Sequence, residues 1–147
     1  MIEFRPASQR FGTVRKWACA AAALAGLTGA SGVILAAVAA HAVPDERLQT
    51  AANFLLIHAA AVLAVCGLSI AIPRGGWFLG AAALLLSGSL LFGADLSVRA
   101  LSGTRLFPMA APLGGILLIG GWISVTLAAV AVFWQAGGRT PGQNIDE

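Results

Sequence analysis

The chain has 147 residues, 59% of them hydrophobic and 10% charged, whereas a soluble domain carries roughly 25% charged residues. With a mean hydropathy of +0.87, most side chains must face something other than water, which excludes a water-soluble fold. The net charge of +3 rests on 9 basic residues spread over flanks and turns, with no contiguous stripe to suit a nucleic acid. At about 20 residues to cross ~30 Å of hydrocarbon, plus turns, the length allows about four spans.

In chain order, a basic segment over 1–16 precedes a first apolar run over 17–42. That run is longer than the apolar stretch of a secretory leader, although Ala40-His41-Ala42 offers a cleavage pattern and leaves a leader as the alternative. Gly26, Gly29 and Gly32, interleaved with Ala22, Ala25 and Thr28, give small-residue spacings that let a neighbouring helix approach closely. Pro44-Asp45-Glu46 restarts a helix, since proline is pre-set for a first turn and acids favour the positive end of the dipole. The second span is expected over 44–72. Pro73-Arg74-Gly75-Gly76 makes a polar turn, and the third span runs over 77–98 with Ser87-Gly88-Ser89 at its middle. Pro108 and Pro112 hold the chain out of regular helix until a fourth span over 113–135, where Gly114, Gly115 and Gly121 are further packing positions. The polar tail over 136–147 has too little apolar surface to fold. The expected fold is all-α: a four-helix bundle integral to the membrane over 17–135.

Basic residues set the expected orientation. Arg5, Arg10, Arg15, Lys16, Arg74 and Arg139 fall on the side of the termini, against Arg47, Arg99 and Arg105 on the other, so both termini are expected in the cytoplasm. Trp17, Trp77 and Trp134 lie at the same ends of their spans, at headgroup level, while Trp122 falls mid-span.

Polar residues inside the spans are the candidate functional groups. His58 lies about 12–21 Å into the bilayer, where an ionisable group is costly and is read as functional or as a neutral tie between helices. His41 falls roughly 36 Å along the first helix from Trp17, at the far interface, where it suits capping of the last carbonyls. At such different depths two histidines would bracket one haem iron only with difficulty within one chain, and no bound cofactor is expected. Asp95 and Arg99 are four apart with the acid first, the better order for an ion pair on a helix, and mark an interfacial anchor. Gly88 shares the face of Asp95, which should therefore meet another helix. Asn53 and Gln49 are expected to turn a polar stripe toward protein. Cys19 and Cys66 lack the spacing of a metal or redox motif and read as small packing residues.

Ala36-Ala37-Val38-Ala39-Ala40-His41-Ala42, Thr50-Ala51, His58-Ala59, Ser87-Gly88-Ser89, Pro112-Leu113-Gly114-Gly115 and Gly121-Trp122 together resemble a small four-span family of unknown function, which includes the bacterial inner-membrane protein YgdD and eukaryotic transmembrane protein 256. The resemblance runs over about residues 20 to 132. It departs from the family where alanines replace a Gly-Ala-Phe-Gly-Ala stretch before the first histidine, and where an aromatic-rich stretch before the second is Asn53-Phe54-Leu55-Leu56-Ile57 in a chain without tyrosine. The resemblance implies a fold and a bacterial inner-membrane location, and no activity. No carboxylate pair, nucleophile with its base or metal cluster reaches mid-membrane, so an enzyme is not expected. The leading expectation is a helix-packing scaffold, acting as a homo-oligomer or as an accessory subunit of a larger membrane complex, with the lipid bilayer as its other partner. The alternatives are a small transporter or proton-conducting element using His58, with Asn53, Thr50, Ser87 and Ser89 lining a path, and a redox or quinone-binding subunit.

Overall fold

The computed structural model describes residues 7–72 and 75–137, all of them in helices or short connections. The helices are α1 (Ala7–His41), α2 (Glu46–Ala71), α3 (Gly76–Ser102) and α4 (Ala110–Gly137). Each is long and apolar enough to cross a membrane. The outward surface agrees, since Leu27, Ile57, Ile119, Leu127 and Phe133 are exposed, a continuous apolar cover that water would not tolerate on a monomer.

Helix ends depart from the expected spans for physical reasons. α1 begins at Ala7, because polar residues mark where a helix leaves hydrocarbon and need not break it. α2 starts after Asp45, whose carboxylate accepts from the Arg47 amide at 2.7 Å as an N-cap. α3 continues to Ser102, where Gly103 takes φ 71° and its N–H closes on the Arg99 carbonyl, a left-handed cap that glycine adopts freely. α4 begins upstream of Pro112, which sits in the first turn where a missing N–H costs no helical bond. The tail expected over 136–147 lies outside the described residues beyond Gly137.

Each helix packs on its neighbour in sequence, and α1 also touches α3. α2 and α3 are therefore central, while α1 and α4 bury less than half the share of their spans that α2 and α3 do. The core gathers Ala25, Val62, Phe78, Leu85 and Leu118 from all four helices.

Small residues fix two crossings. A Cβ added to Gly88 would lie 2.9 Å from the Gly114 carbonyl oxygen and the Leu118 amide, and one on Gly114 would lie 2.7 Å from the Phe92 amide. Backbone cannot yield as a side chain can, so α3 and α4 meet there only because both positions are glycine. Gly121 is similarly closed by Leu85. On α1, Gly32 faces Leu56 and the Ala52 carbonyl, and Gly29 meets Ala59 at ordinary contact distance. Gly26 and Gly115 correct the expectation: a Cβ at either would meet nothing within 4 Å, because each lies off its helix's contact face within this chain. Gly93 was not singled out from sequence, yet an added Cβ would lie 2.9 Å from Leu55 of α2.

Candidate functional site

Two polar arrangements stand out. The first centres on His58, 13 residues into α2 and only 7% exposed. Its Nδ1 is 2.8 Å from the Phe54 carbonyl one turn earlier, and its Nε2 is 3.4 Å from the indole Nε1 of Trp122 on α4. A carbonyl only accepts and an indole N–H only donates, so these partners suit one neutral tautomer that donates from Nδ1 and accepts at Nε2. The Trp122 contact is long for a hydrogen bond and correspondingly weak. The rings stack around it: Phe54 lies 5.6 Å from His58 between centroids and 4.5 Å from Phe92 of α3, and Trp122 meets His58 edge-on at 6.2 Å. Three helices thus share one run of rings, Phe92, Phe54, His58 and Trp122, with the histidine between Phe54 and Trp122.

The second arrangement lies at the other end of α3 from Trp77. Asp95 is fully buried, and its Oδ2 pairs with Arg99 Nη2 at 2.6 Å. Its Oδ1 accepts from the Leu106 backbone N–H at 2.9 Å. The i,i+4 pair was legible in the sequence. The tie to Leu106, eleven residues on, was not, and it makes the carboxylate a clasp on the connection between α3 and α4. Gly88 and Asp95 are both buried on the same face, as the helical spacing implied.

The remaining candidates do not join either arrangement. His41 ends α1 and is exposed. The Val38 carbonyl there is capped by the amides of Ala42 and Val43, both at 2.9 Å, so chain reversal supplies the capping expected of the imidazole. Asn53 and Gln49 face outward and bond each other at 3.2 Å, which corrects the expected polar stripe toward protein: that face of α2 has no neighbouring helix. Thr50 bonds the Glu46 carbonyl, exposed Ser87 bonds Ala83 and buried Ser89 bonds Leu86, so these side chains satisfy themselves on their own helices and line no common passage. Thr28 and Ser69 do the same. Among the described residues no group of three His, Cys, Asp or Glu side chains is placed to hold a metal ion. Trp122, Phe92 and Leu106 are residues of these arrangements that were not among the sequence candidates. The signals for Trp122 were its place in the Gly121-Trp122 motif and its position away from the interfacial level of the other tryptophans.

A family described as "Protein of unknown function (DUF423)" matches residues 35–115. That stretch runs from the end of α1 into the first turns of α4 and holds His58, Asp95, Arg99 and Gly114. The UPF0382 inner membrane protein YgdD of Escherichia coli K12 is 31% identical over 115 residues, covering 72% of this chain and 86% of that protein. The YgdD protein of Shigella flexneri matches to the same extent. No solved structure matches.

Proposed function

The chain belongs to the DUF423 family of membrane proteins of unknown function, and from that premise we propose that it works by packing helices: a four-span scaffold in the inner membrane, self-associating or serving as an accessory subunit of a larger complex. The observation that carries this reading is the occupancy of His58. The one histidine buried in a span has a carbonyl at one ring nitrogen and an indole N–H at the other, so its chemistry is spent on holding α2 to α4. The hydroxyls within the spans are likewise spent on their own helices. The broad exposed faces of α1 and α4 leave two helices free to meet a second copy or a partner span. The basic residues and three interfacial tryptophans on the terminal side support cytoplasmic termini.

Gentle extraction followed by native electrophoresis, with proton permeability measured in reconstituted vesicles, tests the reading. The wild type should migrate as an assembly and leave vesicles proton-tight. Gly88→Leu, which forces a side chain against α4 backbone, should disperse the assembly more than His58→Ala. A proton leak abolished by His58→Ala would instead establish the conducting alternative.

A further inference from the structure

Beyond the glycine crossing, α3 and α4 leave a groove between them on the side of the chain termini. Its volume is about 610 Å³, and its walls include Trp77, Gly80 and Leu84 of α3 and Ser124, Leu127 and Ala131 of α4. That volume lies within the range of small-ligand sites, about 300–1,000 Å³. The wall is mostly apolar, and its one hydroxyl, Ser124, already donates to the Gly120 carbonyl at 2.7 Å. At its deep end the groove is closed by Leu85 against Gly121. At the other it opens beside Trp77, which is 75% exposed and at the level where indoles meet headgroups. From Trp77 to Leu84 the groove runs about 10 Å along the helix. A partner helix crossing ~30 Å of hydrocarbon would need a longer trough, whereas an acyl chain entering from one leaflet needs only such a slot.

Charge selects the headgroup. The first turns of α1 stand beside the mouth, since Val14 Cγ2 is 4.0 Å from a Cβ added to Gly76. The exposed Arg15 and Lys16 follow it on α1. The acidic residues among those described, Asp45, Glu46 and Asp95, all lie toward the opposite end of the bundle. An end of the bundle that carries basic residues, with the described acidic ones at the other end, attracts an anionic headgroup. We infer that this groove seats one acyl chain of an anionic phospholipid, with its phosphate drawn to Arg15 and Lys16.

Native mass spectrometry of the full chain, released from bilayers of equal phosphatidylglycerol and phosphatidylethanolamine, tests this. The wild type should retain one lipid, predominantly phosphatidylglycerol. Gly80→Leu should abolish its retention, because an added Cβ there meets only open groove, and replacing glycine by leucine raises helix propensity without endangering the fold. Gly67→Leu, the same change at an open position of α2, should leave retention unchanged. Combined Arg15→Gln and Lys16→Gln should keep a lipid but lose the preference between the two headgroups. Retention indifferent to Gly80→Leu, or equal retention of both lipids by the wild type, would overturn the inference. So would a polypeptide released by Gly80→Leu with no lipid displaced, which would assign the groove to a protein helix.

Discussion

A buried carboxylate needs its charge answered and its oxygens hydrogen-bonded, and Asp95 has a cation at Oδ2 and a hydrogen bond at Oδ1. Arg99 supplies the charge and the Leu106 amide one of the hydrogen bonds. The two contributions separate by substitution. Asp95→Asn keeps an oxygen for Leu106 and leaves Arg99 unpaired. Because that arginine is a quarter exposed and can rehydrate, the cost should be about 1–3 kcal/mol, below that of a fully buried broken pair. Asp95→Leu removes the acceptor as well and should cost about 1 kcal/mol more. Thermal unfolding in detergent gives the ordering. Hydrogen exchange at the Leu106 amide gives the mechanism, with protection kept in the asparagine variant and lost in the leucine one. Equal exchange in both would show that the carboxylate does not clasp the connection. The ion pair could be read from sequence because helix spacing is local, whereas the return of Leu106 depends on how the chain turns after Gly103, which no spacing encodes.

At the scale of elements, α4 is the helix whose attachment is most concentrated. It packs on α3 across the glycine crossing and reaches α2 through Trp122. Trp122→Phe keeps an aromatic ring near Phe54 and removes the indole N–H, so its cost should stay near the ~0.6–1.7 kcal/mol of a membrane hydrogen bond. His58→Ala should cost more, since it also removes the ring between Phe54 and Trp122. In a double-mutant cycle the coupling between the two positions should be below about 2 kcal/mol. A coupling near zero would mean that the 3.4 Å contact contributes no stability and that the cluster alone holds α4 to α2. The elements themselves were legible from apolar length and the prolines and glycines between them. Their ends were not, because hydropathy reports where hydrocarbon stops and helices stop at caps, as at Asp45 and Gly103. Among the packing glycines, Gly88 and Gly114 were visible as small residues in apolar runs, but so were Gly26 and Gly115. Sequence spacing finds which positions could admit a neighbour, and only the fold determines which have one.

At the scale of the molecule, four spans return the chain to the side from which it started, so one measurement of either end fixes the whole topology. By their order in the sequence, Arg5, Arg10, Arg15, Lys16, Arg74 and Arg139 are assigned to the terminal side against Arg47, Arg99 and Arg105 opposite, and one of the three opposing charges, Arg99, is neutralised by Asp95. Basic residues near span ends are retained in the cytoplasm during insertion, so the proposed topology, with both termini cytoplasmic, makes a direct prediction. Gly142→Cys, in a chain with Cys19→Ala and Cys66→Ala, provides the test. An impermeant maleimide added to intact bacterial cells should leave position 142 unmodified and label it only after the membrane is opened. A second cysteine in place of Thr104, in the exposed connection between α3 and α4, should give the reverse pattern and controls for reagent access. Labelling of 142 but not 104 in intact cells would invert the molecule, and would move the mouth of the α3–α4 groove to the periplasmic leaflet with it.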